Sequence, residues 1–294
     1  MAEPRKWKKY YNLPEIERIR KLIKDSYSNK LQFIEESHQY FLDGVEFTCV
    51  SDMVAKWSSV DEEAMLDNCA QKAMNPRYPN YKYHGMTKEE IKAQWDEIKN
   101  KACTFGTSVH AFGESMFYYM SGQDDKILPE CKDKFDENGP KPSCPQEEAI
   151  VKFWNDIPES IIPVLAETKV FNTNTAPYAG TFDILFYYYN EKNLEKNGLI
   201  LGDYKTNYSL SNDYARSIGQ MMNYPFNDLY EESLSHYYLQ LSFYQYPMEQ
   251  LGLKVIGRRL IHVKDDGTYD KVKVPNMVGR IKEALDIKDD ISEF

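Results

Sequence analysis

The chain predicts an α/β domain, a small central sheet with helices on its faces. Three observations carry that expectation. Strand candidates follow one another at Val164–Phe171, Gly180–Tyr189 and Gly198–Thr206. The amphipathic helix "PQEEAIVKFWNDI" precedes them. Helical segments over roughly 212–251 then separate them from a fourth strand in "KVIGRRLIHVK", residues 254–264. Helix, strand, strand, strand, helix, strand is the order of a sheet covered by helices.

Taken from the amino end, residues 1–30 read as a basic helical arm. Asn12 can cap a helix with Pro14 in its first turn, and Ile16, Ile19 and Ile23 make an apolar stripe. Eight basic residues between Arg5 and Lys24, Lys8 and Lys9 among them, face two acids, and Trp7, Tyr10 and Tyr11 sit between them. Such an arm suits a phosphate backbone and stacked bases, or simply a solvated surface. Residues 31–101 read as an amino-terminal β-hairpin and helical subdomain, with a hairpin signal at Asp43–Gly44 and a break at "NPRYPNYKYHG". The core spans 102–264. Within it helix resumes near Cys103–Met120, and 121–148, with its prolines and charges, reads as a loop insertion. Residues 265–294 read as a helical tail.

With 294 residues and 42% hydrophobic content, the chain can bury a real core. Its net charge of −10 opposes nucleic-acid binding in sum but not in distribution. Five scattered cysteines form no C-x-x-C pair and read as free thiols. The histidines show no zinc-peptidase spacing. No apolar run reaches membrane-spanning length and "MAEPRKWKKYY" has no signal-peptide segment, so a cytoplasmic protein without a membrane partner is expected.

The stretch "GLILGDYKTN", residues 198–207, carries a buried strand straight into an acid and a base. Alternation points Asp203 and Lys205 to the same face. They can be a plain ion pair, or half of a hydrolytic site. Asp183 in "AGTFDILF" and Glu167 in "VLAETKV" are likewise acids among apolar neighbours, where a lone charge is expensive. A hairpin would bring Asp183 and Asp203 together on one hard divalent cation, with Glu167 completing the cage. Lys205 could then orient a water and stabilise charge on a phosphoryl oxygen.

The D-x(19)-D-x-K spacing of Asp183, Asp203 and Lys205 resembles motifs II and III of the PD-(D/E)XK nuclease superfamily. "FGTSVHAFGE", residues 105–114, resembles the G-T-x-x-H helix of its RecB-like, lambda-type exonuclease branch. "LQLSFYQY", residues 239–246, resembles that branch's Q-x-x-x-Y helix, and Glu167 stands at the first-motif position. The features occur in family order over residues 103–251. Segments around 34–54 and 225–252 look like phage-encoded members.

The resemblance implies a restriction-endonuclease-like core: a small central mixed β-sheet flanked by helices, with an N-terminal hairpin and helical decorations. It implies a Mg²⁺- or Mn²⁺-dependent deoxyribonuclease, foremost an exonuclease in viral DNA recombination, replication or processing, with endonuclease or flap cleavage as the alternatives. His110, Glu167, Asp183, Asp203 and the Tyr204 carbonyl would hold metal, and Lys205 would act on the water. Gln240 and Tyr244 would support the site or touch the DNA backbone; apart from the resemblance, Thr206 and the arm's Lys8 and Lys9 are further candidates at the substrate. Lys205→Ala is expected to abolish cleavage while sparing the fold and metal binding. Without a cysteine beyond Cys144 an iron–sulfur cluster is not expected, and without a G-x-x-x-x-G-K-[ST] loop neither is a fused helicase. Partners would be DNA, a single-strand-annealing protein or helicase, and further copies in a homo-oligomer. The rival readings are a non-catalytic nucleic-acid-binding or assembly protein on the same fold, and an acidic regulator of a host nuclease.

Overall fold

The computed structural model describes residues 7–35, 37–174 and 176–286. Helix α1 (Pro14–Ile23) begins on Pro14, whose fixed φ suits a first turn, and buries Ile16, Ile19 and Ile23. Its N-cap is Leu13 with no side-chain cap, so Asn12 does not take the expected role. Strands β1 (Leu31–Ile34), β2 (Gln39–Leu42) and β3 (Val45–Cys49) form an antiparallel meander. Its second turn, Asp43–Gly44, has φ of 51° and 80°, the left-handed pair that a two-residue hairpin requires.

Next come α2 (Val50–Ala55), α3 (Glu62–Ala73) and α4 (Lys88–Ser121). The helix expected to resume near Cys103 is thus the second part of a single 34-residue helix. The chain divides into two compact units: one runs to Ser58 and resumes at Val109, and the other is Ser59–Ser108. The smaller has its own apolar cluster of Leu66, Ala73, Tyr83 and Ile91, and Lys88 pairs with Glu63 and Asp67. The hairpin of residues 31–49 falls in the larger unit, β3 pairing with a core strand, whereas the sequence groups it with residues 50–101.

The stretch 121–148, expected as a loop insertion, holds two 3₁₀ turns and a ribbon of β4 (Phe135–Asp136) and β5 (Gly139–Pro140). Helix α5 (Pro145–Asp156) ties it down through the buried Glu147, which accepts from Ser143 N–H and Oγ at 2.7 and 2.9 Å and pairs with Lys134. Strands β6 (Ile161–Asn172), β7 (Tyr178–Tyr188) and β8 (Gly198–Lys205) make an antiparallel run. Helices α6 (Asp213–Ile218) and α7 (Ser233–Gln250) lead to β9 (Val255–Val263), which lies parallel to β8. The tail then adds β10 (Tyr269–Lys273), antiparallel to β9, before α8 (Val278–Ala284), so it is not purely helical. Residues 287–294 lie outside the described ones.

The result is a mixed eight-stranded sheet, β1-β2-β3-β7-β8-β9-β10 with β6 also on β7. An antiparallel β6–β7–β8 run, a helix and a parallel β9 are consistent with the restriction-endonuclease-like core. Helices flank it: α5 packs on β9 and β10, and α7 on β6 to β9. Among the described residues no helix is long and apolar enough to cross a membrane.

One topological detail positions the site. Strand β6 accompanies β7 from Tyr178 to Tyr188, so the remaining side of β7 is shared by two partners. Strand β3 takes Tyr178 and Ala179, while β8 takes Ile184 to Tyr188. Between them Gly180–Asp183 sits at a fork where the sheet opens.

Candidate active site

Asp183 lies at that fork, one step beyond the last β7–β8 pair, Ile184↔Gly202. Its Oδ2 accepts a 2.6 Å hydrogen bond from the Tyr204 backbone N–H, standing in for a ladder partner. The same oxygen is 3.2 Å from His110 Nδ1 on α4. On the neighbouring strand Glu167 stands between the pairs Ala166↔Ile184 and Thr168↔Phe182, and its Oε1 is 3.9 Å from His110 Nδ1. Glu167 has φ of +39°, a left-handed conformation that costs a non-glycine residue about 1–3 kcal/mol and clusters at functional positions. Ligand atoms of His110, Glu167 and Asp183 lie within 4.8 Å of one another.

Asp203 and Lys205 point to one face of β8, as alternation requires, and form an ion pair of 2.6 Å. Lys205 Nζ also donates to Gln240 Oε1 at 3.3 Å and lies 4.2 Å from the Tyr237 ring centroid. Gln240 Nε2 donates to the Tyr244 hydroxyl at 3.0 Å, so α7 holds the lysine through a relay. Tyr204 turns to the other face, where its hydroxyl accepts from Trp154 Nε1 on α5. Two glycines permit these approaches. A Cβ on Gly113 of α4 would meet the Tyr204 ring at 2.7 Å, and one on Gly180 would meet the Tyr244 ring at 2.7 Å.

The electrostatics are those of acids forced together. Burial, then the Asp183 charge, pushes Glu167 well above the ordinary carboxylate range. The same two causes raise Asp203 to about 6. Burial would also raise Asp183, but His110, Lys205 and the Tyr204 N–H outweigh it and hold its pKa down. For His110 burial opposes protonation, and Asp183 more than restores it. Burial likewise opposes charge on Lys205, but Asp203 and Asp183 overcome it and keep it an ammonium.

The residues fit a divalent cation. One imidazole and several carboxylates are oxygen-rich donors suited to Mg²⁺ or Mn²⁺. Asp203 Oδ2 is buried beside the Lys205 ammonium, 2.6 Å away, and its carboxyl is nonetheless pushed up to about 6. A cation would relieve the pressure on both Asp203 and Glu167.

The other expected site residues fall as follows. Thr206 directly follows β8 and is half-buried. Lys8 and Lys9 are not part of the constellation: Lys9 pairs with Glu159 at 2.9 Å, and the stem of Lys8 lies beside Gly122. The arm that carries them is docked by Trp7, which is buried edge-on against Trp154 at 5.5 Å. Arg5 and Lys6 lie outside the described residues. The sequence marks Tyr237 only as part of the tyrosine cluster Tyr237–Tyr238, read as packing or base-stacking residues, and gives no sign of Trp154 or Asn207. Asn207 accepts from the Tyr237 hydroxyl at 2.7 Å, and its carbonyl is 2.6 Å from His262 Nε2. Only the sequence "YY" at 237–238, one turn before Gln240, hinted at that contact.

No family model and no curated protein matches the chain. Among solved structures, the crystal structure of a "Putative exonuclease" from Eubacterium rectale is similar with a TM-score of 0.36 and 15% sequence identity. The similarity covers 60% of this chain and 63% of that one, so the chain spans less than two thirds of that structure's length.

Proposed function

We propose that the chain is a Mg²⁺- or Mn²⁺-dependent nuclease that hydrolyses DNA phosphodiester bonds. What supports this reading is the convergence of His110, Glu167 and Asp183 from three elements, with the Asp203–Lys205 pair beside them. His110, Glu167, Asp183, Asp203 and the Tyr204 carbonyl would hold the cation. Bound there, it would supply Lewis acidity, lowering the pKa of water and offsetting phosphate charge. Lys205 acts as a donor: held by Asp203, Gln240 and Tyr237, its ammonium orients the attacking water and stabilises charge on a phosphoryl oxygen. Gln240 and Tyr244 fix that lysine rather than react. The finer reading, an exonuclease of viral DNA recombination or processing, rests on the sequence resemblance.

The test is incubation with Mg²⁺ or Mn²⁺ of end-labelled linear DNA beside a closed circle, with Lys205→Ala as control. Loss of linear DNA alone supports an exonuclease, and cutting of the circle an endonuclease. Binding without cleavage under either metal rejects the catalytic reading in favour of a nucleic-acid-binding protein on this fold.

A further inference from the structure

Beyond Lys205 the chain presents a set of exposed aromatic rings. Tyr208 is 95% exposed, Tyr224 83% and Tyr214 71%. Tyrosine usually lays its ring against the body of a protein, so such exposure has a cost in solvated apolar area. On a loose segment it would mean little. This segment is pinned: Leu210, Ala215, Met222 and Phe226 are buried beneath it. Arg216 holds Glu232 through two hydrogen bonds of 2.7 and 2.6 Å. Asn223 N–H donates to the Trp57 carbonyl at 2.7 Å. The rings are therefore held out, not left out.

The segment that carries them is tied to the start of α7, the helix that holds Lys205: Leu234 N–H donates to the Leu210 carbonyl at 2.9 Å, and Arg216 pairs with Glu232. Asn207, which precedes Tyr208, is clamped by Tyr237 and His262, and Tyr237 is the residue whose ring covers the Lys205 ammonium. Ile218 is exposed among them, and small polar residues, Ser209, Ser211, Asn212 and Asn223, separate the rings. Between residues 206 and 232 the one basic residue is Arg216, already engaged with Glu232.

We infer that Tyr208, Tyr214 and Tyr224 form a stacking platform for unpaired bases, which takes a single-stranded DNA segment beside the cleavage site. The inference rests on the nuclease reading for its substrate. Paired bases hide their faces in the duplex stack, so only a single strand or a frayed end offers them. Because the platform lacks free cations, its share of binding comes from stacking and changes little with salt, unlike phosphate contacts.

The experiment is fluorescence anisotropy of the full chain with a labelled oligothymidylate in EDTA, where no cutting occurs. Tyr208→Ala, Tyr214→Ala and Tyr224→Ala are each expected to weaken binding roughly fivefold or more, equally at low and high salt. The Tyr→Phe variants, which keep the ring, should bind as wild type does, and an abasic oligomer should not distinguish wild type from the Ala variants. Ala variants that bind oligothymidylate as tightly as wild type overturn the platform and assign this face to a protein contact. An equal loss with the abasic oligomer also overturns it. Cleavage is read separately. Ring-dependent binding without cleavage keeps the platform and rejects the nuclease, whereas cleavage with unaffected Ala variants does the reverse.

Discussion

Asp183 fastens the backbone of Tyr204 through a 2.6 Å hydrogen bond, so the acid of one strand positions the strand that carries the other acid. The carboxylate has two tasks there, a structural one toward Tyr204 and an electrostatic one toward His110. The two can be separated. Asp183→Asn keeps an acceptor for the N–H but loses the charge, and Mn²⁺ affinity measured by calorimetry should fall roughly tenfold or more. Asp183→Ala additionally leaves a buried N–H unpaired and should cost a further 1–3 kcal/mol or so in thermal or urea unfolding. An Asn variant that binds Mn²⁺ like wild type removes Asp183 from the ligand set.

Lys205→Met should lower the cleavage rate by roughly a hundredfold or more, the scale for losing a well-placed donor to developing charge. It should not spare the metal-free fold. Asp203 is 1% exposed, and stripping its ammonium leaves an uncompensated buried acid, a loss of about 3 kcal/mol in unfolding experiments above neutral pH. Added Mn²⁺ should restore most of that stability. A variant as stable as wild type without metal contradicts the pairing.

Tyr237 offers a graded test of how the lysine is held. Tyr237→Phe keeps the ring 4.2 Å from the ammonium and loses the hydroxyl with its bond to Asn207, so cleavage should stay within a few-fold of wild type. Tyr237→Leu removes the ring and should slow kcat roughly 3- to 30-fold with KM little changed. Equal rates for the two variants would mean that the ring does not position Lys205.

Metal-free stability should depend on pH through Asp203. Its folded pKa of about 6 lies above its ordinary value of 3.8. The folded state therefore binds more protons than the unfolded chain between those values. This contribution is fully present below the ordinary value and is lost as pH rises through about 6, at most about 3 kcal/mol. Glu167, also raised, acts in the same direction. Asp183, held low, acts the opposite way, with stability lost only as pH falls below the usual range. Metal binding needs ionised ligands, so stabilisation by Mn²⁺ should grow over the interval where the apo fold weakens. Melting curves at pH 5, 6 and 7 with and without metal, which are about one unit apart around that pKa, test this. Asp203→Asn should make the apo profile shallower, the raised Glu167 and His110 keeping part of the slope, and a wild-type profile already flat would refute the shift.

Much of this was legible in sequence, for local reasons. The strands expected at 164–171, 180–189, 198–206 and 254–264 differ little from β6, β7, β8 and β9, because long apolar runs bounded by turn residues allow little else. Asp203 and Lys205 share a face because alternation dictates it. What escaped depends on contacts far along the chain. Nothing near Thr48 signals its parallel pairing with Tyr178. The cationic arm looked free because its charge is local, whereas the burial of Trp7 requires Trp154. Tyr237 looks like any helix tyrosine until Lys205 is beneath it.

The Tyr27 hydroxyl donates to the Pro247 carbonyl 220 residues away, and Tyr40 meets Thr181 across 141 residues. These spans govern how the protein is made. The amino-terminal meander leaves the ribosome long before the strand that completes its sheet, and until then β3 presents an open edge on which other nascent chains can pair. Closing such distant contacts is slow compared with forming a hairpin. The larger unit should therefore acquire protease resistance only once β9 is available, and released chains that end before Val255 or after Val263 should differ sharply in limited proteolysis. Early protection would mean that the meander folds on its own. Late protection would make chaperone supply, rather than any property of the finished molecule, the limit on its yield.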